Sequence, residues 1–177
     1  MKPHELVDHL NKLGGSYGIG RVDIIENRLV GFKVRGVYES PAAEILHNAA
    51  RELENLVLER NHLHFRTLLS QKYAELIYDG RWFSGLRNSL DEFFNSFSDV
   101  MTGSITLRLS SGRLEVVSRE SPYSLYNLNI SSYESDEGFD QRCGQAFSYI
   151  WSMQGRVSAM ASKSFPENEK AEHLAVA

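Results

Sequence analysis

Hydrophobic residues recur at two different spacings along the chain, and these spacings predict a mixture of helices and strands. A repeat of three to four residues is typical of a helix with one buried face. It predicts helices over residues 3–13, 41–60, 65–78 and 85–101. From residue 103 the repeat changes to two, in ITLRL and RLEVV on either side of Ser-Ser-Gly, and this alternation predicts a β-hairpin.

The stretch of residues 20–41 combines strand-like sequence with an unusual density of charge. Its apolar runs are rich in β-branched residues, which favour strands, and we expect Gly31 and Gly36 to break the strands. Six ionisable side chains interrupt the runs: Asp23, Glu26, Arg28, Lys33, Arg35 and Glu39. These charges fit a solvated surface hairpin, and they equally fit a polar site for a small zwitterionic ligand.

The order of the predicted elements favours an α+β fold in which a strand region and a β-hairpin pack with several amphipathic helices. A last, weaker helical pattern begins near residue 136. Beyond it the sequence becomes polar and poor in large apolar residues. We therefore expect a domain over residues 1–162 and a polar tail over residues 163–177. We expect Trp82 and Phe83 to wedge between helices, and the alternative is a platform on which a ligand stacks.

Composition excludes several classes of function. A net charge of −4 gives no basic field for nucleic acid, and no apolar run reaches the roughly 20 residues of a membrane span. The single cysteine, Cys143, fits a reducing cytoplasm. No glycine-rich phosphate loop or serine nucleophile motif is present, and His62 and His64 have no patterned third ligand, so we expect no metal site.

Four blocks of sequence together resemble the C-terminal half of argininosuccinate synthase. They are GIGRVDIIENRLVGFKVRGVYESPAAEIL at 18–46, KYAELIYDGRWFS at 72–84, GSITLRLSSGRLEVVSRESPYSLY at 103–126 and the weaker FDQRCGQAFSYIW at 139–151. The resemblance covers nearly all of the chain except the tail. IWSMQGRV in the last helix departs from the Leu-Trp-Gly-Leu-Pro pattern usual in the family.

The resemblance implies a ligase of arginine biosynthesis, in which citrulline and aspartate are joined with ATP to give argininosuccinate, AMP and pyrophosphate. It implies that ATP, with Mg²⁺, is bound mainly by an N-terminal half whose Ser-Gly-Gly-Leu-Asp-Thr-Ser loop is not in this sequence. It also implies a cytoplasmic homotetramer whose C-terminal helix takes part in oligomerisation. On this basis we expect no cofactor on this chain alone.

The same resemblance implies which residues bind citrulline. The glutamate of the family's E-N-R motif falls on Glu26, and the tyrosine of its G-x-Y-E motif falls on Tyr38. Arg35 and Glu39 lie in the same motifs, and we expect them to support the strand region rather than to contact substrate. No residue of this chain is expected to be catalytic. The alternative is a free-standing oligomerisation or interaction module that has kept the fold and lost catalysis.

Overall fold

The computed structural model describes residues 1–131, 138 and 140–163. In chain order the elements are α1 (Pro3–Ser16), β1 (Arg21–Asn27), β2 (Lys33–Glu39), α2 (Pro41–Val57), α3 (Arg60–Tyr78), α4 (Gly85–Asn95), a short 3₁₀ helix (Ser98–Val100), β3 (Ser104–Ser110), β4 (Arg113–Glu120), α5 (Leu128–Ser131), α6 (Cys143–Trp151) and α7 (Met153–Lys163). The described strands form two antiparallel pairs, β1–β2 and β3–β4. The predicted α+β class and the predicted hairpin after residue 103 are confirmed.

The chain divides into two compact units, Met1–Tyr126 and the residues from Asn127 onward. Our predicted boundary at residue 162 stays a prediction, because the tail beyond residue 163 lies outside the described residues. The predicted start of the last helix near residue 136 lies outside them as well. In the described part of that region the helix is interrupted at Ser152, so α6 and α7 are separate elements.

The core of the first unit lies where α2, α3 and α4 meet. Val57, Leu58 and Phe97 are buried at its centre. The partly buried residues around them are Leu53, Leu56, Leu63, Phe93, Phe94, Val100 and Met101. Burial of each such large side chain stabilises the fold by about 1.5–3 kcal/mol.

This core also explains two helix boundaries that we predicted wrongly. The break between α2 and α3 lies at Leu58 and Glu59, whereas we placed it at residues 61–65. Leu58 adopts an extended backbone, and there its side chain is buried in the core. At the other end, α4 stops at Asn95 instead of residue 101, and Phe97 turns into the same core.

The packing of α1 against α2 changes another boundary. We expected α1 to end at residue 13, but it continues to Ser16 with Gly14 buried inside it. A Cβ atom at Gly14 would lie 2.8 Å from the Cβ of Pro41 and 2.9 Å from Cδ1 of Ile45. Glycine is therefore needed at this point for close helix contact rather than for ending the helix.

The aromatic pair after α3 does not pack as we expected. Phe83 is 94% exposed, so it does not wedge between helices in this unit. Trp82 is about half exposed and lies against the Arg87 guanidinium, which is 4.7 Å from the ring centroid. Ser84 follows the pair directly and caps α4 by accepting a hydrogen bond from the Arg87 amide, so the two rings lie in a short loop rather than between helices.

Candidate functional site

The register of β1 and β2 decides which of the predicted site residues share a face. Val22 pairs with Tyr38, Ile24 with Gly36, and Glu26 with Val34. Side chains alternate between the faces of a strand, so these three pairs lie on one face of the hairpin. Glu26 and Tyr38 are therefore on the same side of the sheet.

Glu26 and Tyr38 are in direct contact. The Tyr38 hydroxyl donates a hydrogen bond of 2.6 Å to Oε1 of Glu26. Nη2 of Arg28 lies 3.5 Å from the same oxygen. The Glu26 carboxylate raises the pKa of Tyr38 above its ordinary value of 10.0, first through this hydrogen bond. The hydrogen bond thus favours the neutral, donating form of the phenol.

Tyr78, at the end of α3, holds the turn end of the hairpin beside this pair. Its hydroxyl donates a hydrogen bond of 3.1 Å to the Asn27 carbonyl. The Tyr78 hydroxyl, and after it the Glu26 carboxylate, raises the pKa of Arg28. We did not predict Arg28 or Tyr78 as site residues. The signal for Arg28 was its place in the ENR motif beside Glu26, whereas a contact of Tyr78 across 51 residues has no local signal.

Arg35 and Glu39 lie on the opposite face of the hairpin. Nε and Nη2 of Arg35 donate to the two carboxylate oxygens of Asp23 at 2.8 and 2.5 Å. Nε of Arg21 lies 3.2 Å from Glu39. The structure therefore brings Glu26 and Tyr38 together and places Arg35 and Glu39 in cross-strand ion pairs behind them.

The two glycines of the hairpin have different roles. Gly31 lies in the turn with φ +91°, as we expected for a strand break. Gly36 is an internal residue of β2 and pairs with Ile24, so our prediction that it breaks the strand was wrong. The backbone there stays extended because the ladder of β1 and β2 continues without interruption from Asn27 and Lys33 to Arg21 and Glu39.

The region beside the turn forms a shallow pocket of about 400 Å³. It is lined by Arg28, Leu29, Val30, Phe32 and Tyr78. Most of the lining is apolar, and the cationic Arg28 forms its polar edge next to the Glu26 and Tyr38 pair. The pocket extends that face of the hairpin toward the end of α3.

Metal ligation has no support within residues 1–131 and 140–163, where no three or more histidine, cysteine, aspartate or glutamate side chains are grouped to hold an ion. His62 and His64 lie two residues apart inside α3, so their side chains point in different directions. The His62 ring packs against Phe93 and Phe97.

A sequence model described as "Arginosuccinate synthase C-terminal domain" matches residues 1–158. The chain belongs to this family. Similar curated proteins are the argininosuccinate synthases of Endomicrobium trichonymphae (46% identical over 92% of this chain and 39% of the relative) and Clostridium novyi (42% identical over 95% and 42%). The chloroplastic argininosuccinate synthase of Arabidopsis thaliana is 44% identical over 92% of this chain and 33% of its own length. The chain thus spans about two fifths of the argininosuccinate synthases that it matches.

The family assignment agrees with the resemblance seen in the sequence motifs, and three of those motifs lie in described structure. ENR spans the end of β1, G-x-Y-E ends β2, and the SRESPYSLY segment begins at the end of β4. In the part of the chain that the structure describes, every helix is too short or too polar to cross a lipid bilayer.

Proposed function

We propose that this chain is the C-terminal portion of an argininosuccinate synthase that joins citrulline and aspartate at the expense of ATP. The products are argininosuccinate, AMP and pyrophosphate, and the reaction belongs to arginine biosynthesis. In this proposal ATP, with Mg²⁺, is bound mainly by an N-terminal half, and this chain supplies part of the citrulline site. The observation that carries the proposal is the Glu26–Tyr38 pair on one hairpin face of a chain that belongs to this family.

The chemistry of the pair matches the donors of citrulline. The Tyr38 hydrogen is already given to Oε1 of Glu26, so the Tyr38 oxygen is left with its acceptor capacity. Among the described residues, Tyr38 and Arg28 both contact Oε1 of Glu26. Oε2 is therefore left to accept a hydrogen bond from a ligand. The α-ammonium and ureido N–H groups of citrulline are donors of the required kind. A charge-assisted bond to Glu26 contributes about 1.5–3 kcal/mol.

Arg35 and Glu39 act in this proposal as supporting residues. Their ion pairs with Asp23 and Arg21 join the two strands from the face behind the site. These pairs are exposed, and pairs of this type contribute about 0–1 kcal/mol. Their role is to favour the register that brings Glu26 and Tyr38 to one face.

The same proposal assigns an oligomer interface to the second unit. The apolar side chains of α6 and α7 are largely exposed, which is typical of a surface that another chain covers. We propose a homotetramer, as the resemblance implies, and a cytoplasmic location. The relative from Arabidopsis thaliana is named as chloroplastic, so the compartment differs among members of this family.

A chimera tests the proposed reaction. The matching segment of the Endomicrobium trichonymphae argininosuccinate synthase is replaced by this chain, and pyrophosphate release is measured with ATP, citrulline and aspartate. We expect turnover by the chimera and none by this chain alone. Pyrophosphate release by the isolated chain would contradict the proposal that an N-terminal half is needed to bind ATP. A folded chimera without turnover would support the alternative, a non-catalytic oligomerisation or interaction module.

Substitutions in the active chimera test the citrulline site. Glu26→Gln removes the charge, and we expect kcat/KM for citrulline to fall roughly 10- to 100-fold. Tyr38→Phe removes one neutral hydrogen-bonding group, and we expect a smaller loss of roughly 3- to 10-fold. Glu115→Gln is the matched control, because Glu115 is a carboxylate in the other hairpin that is ion-paired with Arg113. Unchanged kinetics in both site variants would refute the assignment.

A further inference from the structure

Gly36 lies at a position where its backbone does not require glycine. It is an internal residue of β2, pairs with Ile24 and is not among the glycines with positive φ. Glycine inside a strand weakens the strand, since it has no side chain to pack and loses more conformational freedom on folding. The reason for glycine at this position must therefore come from its neighbours.

The neighbour above Gly36 is the Tyr38 ring. A Cβ atom at position 36 would lie 2.6 Å from Cε2, 2.8 Å from Cζ and 2.8 Å from the hydroxyl oxygen of Tyr38. Contacts this short do not occur between real side chains, so any other residue would displace the ring. The ring occupies the space that a side chain at position 36 would take.

The ring lies there because Tyr38 reaches along the sheet to Glu26. The Val22–Tyr38 and Glu26–Val34 pairs are separated by the Ile24–Gly36 pair, so about 13 Å of strand lies between them at roughly 3.3 Å per residue. Contact across such a distance requires Tyr38 to lean along the strand over position 36. The 2.6 Å hydrogen bond to Glu26 is made in this arrangement.

We propose that Gly36 is a positioning residue, which leaves open the surface over which Tyr38 reaches Glu26. In a Gly36→Ala protein the ring turns to another rotamer, and its hydroxyl moves away from the carboxylate. Glu26 keeps its contact with Arg28, whereas the ligand face loses the paired acceptor of Tyr38. The effect on citrulline rests on the proposed function above, but the effect on the Tyr38–Glu26 bond does not.

NMR of this chain with ¹³Cζ-labelled tyrosine tests the geometry without any ligand. The Tyr38 signal is assigned by its loss in Tyr38→Phe. In the unsubstituted chain we expect Tyr38 to titrate with a pKa above the ordinary value of 10.0, in a setting formed by Glu26, Arg28 and Tyr78. In Gly36→Ala we expect the pKa of Tyr38 to return toward that value and its chemical shift to change. An unchanged shift and pKa in the folded variant would overturn the inference.

Gly31→Ala is the matched control for this measurement. It is the same substitution in the same hairpin, and it strains the turn because Gly31 has a φ of +91°. Nothing lies within 4 Å of a Cβ placed there, so Tyr38 is not touched. We expect the pKa of Tyr38 to remain raised in Gly31→Ala. A similar loss in both glycine variants would show general weakening of the hairpin and would count against a positioning role.

A double substitution keeps the inference testable if Gly36→Ala fails to fold. When Tyr38→Ala has removed the ring, the methyl group that Gly36→Ala adds has nothing to collide with. We expect the double variant Gly36→Ala/Tyr38→Ala to melt at or above the temperature of Tyr38→Ala alone. If Gly36→Ala is as harmful without the ring as with it, the proposed cause is wrong.

Kinetics in the chimera then separate this inference from the proposed function. We expect Gly36→Ala to lower kcat/KM for citrulline by roughly the same 3- to 10-fold as Tyr38→Phe, and the two changes together to cost no more than either alone. Loss of the Tyr38–Glu26 bond with an unchanged kcat/KM would leave Gly36 as a positioning residue and overturn the citrulline site.

Discussion

At the residue scale, Glu54 in α2 shows how a carboxylate is accommodated in a helical core. It is 4% exposed, and Oε1 lies 2.7 Å from Nη2 of Arg66 in α3. The Arg66 guanidinium also lies over the Phe94 ring at 5.7 Å. Burial raises the pKa of Glu54 and the charge of Arg66 opposes that rise. The ion pair therefore offsets a desolvation cost instead of adding a large net stabilisation.

The first prediction concerns this pair. Arg66→Ala leaves a buried carboxylate without its cation, so we expect the free energy of unfolding at neutral pH to fall by about 1–3 kcal/mol in urea denaturation. The pKa of Glu54 is raised in the folded state because its charged form is costly to bury, and this cost disappears when the carboxylate is protonated. The deficit of Arg66→Ala should thus narrow as the pH falls toward 4.5, the ordinary pKa of the group.

The exposed pair of Arg113 and Glu115 provides the control for that experiment. Their closest atoms are 3.2 Å apart, the Arg113 side chain is exposed, and the partly exposed Glu115 also has Arg108 at 3.9 Å. We expect Arg113→Ala to change the free energy of unfolding by less than about 1 kcal/mol. Equal losses for the two arginine variants would show that burial of Glu54 does not govern the effect.

Individual residues differed in how far sequence could predict them. The motifs predict Glu26 and Tyr38 as citrulline-binding residues, which stays a prediction, and the hairpin register places both on one face. Glu54 lies in a stretch with several other charges, and its ion-pair partner Arg66 comes from another helix, α3. The contacts of Gly36 and Tyr78 depend on the direction in which the Tyr38 side chain leans and on a hydrogen bond across 51 residues. Neither can be read from local sequence.

At the element scale, the start of α2 is capped by another helix. Ser40 lies at the N-cap position of α2, but its side chain makes no cap hydrogen bond. Oδ1 of Asn11 in α1 instead accepts a hydrogen bond of 3.0 Å from the Ala42 amide. This contact satisfies one of the free amides at the helix start and ties α1 to α2.

The second prediction follows because Asn11, and not Ser40, accepts the hydrogen bond at the start of α2. Asn11→Ala removes the oxygen that accepts from Ala42, so we expect the free energy of unfolding to fall by about 0.5–2 kcal/mol. Ser40→Ala should change it by no more than about 0.5 kcal/mol, although serine is a favoured residue at this position. Urea denaturation of the two variants decides between them. The structure would be contradicted if Ser40→Ala had the larger effect.

Elements were predictable in kind but less so in their ends. The three- to four-residue and two-residue repeats predicted the helices and the hairpin after residue 103. The ends of α1, α2 and α4 depend instead on contacts at Gly14, Leu58 and Phe97. Tertiary packing overrides local signals at such positions. For the same reason His62 and His64, which we placed in a break between helices, lie inside α3.

At the scale of the whole molecule, the second unit exposes many large apolar side chains to solvent. The large apolar side chains of α6 and α7 that remain exposed are Phe147, Tyr149, Ile150, Trp151, Met153, Val157 and Met160. Monomeric proteins rarely leave so much apolar surface in contact with water. The family resemblance implies an oligomer interface here, although IWSMQGRV departs from the usual family pattern.

The third prediction tests whether this surface joins copies of the chain. Burial of apolar area drives association, and a buried carboxylate without a partner opposes it strongly. We expect size-exclusion chromatography with light scattering to show an oligomer for the unsubstituted chain and a smaller species for Ile150→Asp/Val157→Asp. Ser162→Asp introduces the same residue at an exposed polar position on the side of α7 opposite to Met153 and Val157, and it should leave the mass unchanged. A monomeric parent chain, or a double variant of unchanged mass, would contradict an interface on α6 and α7.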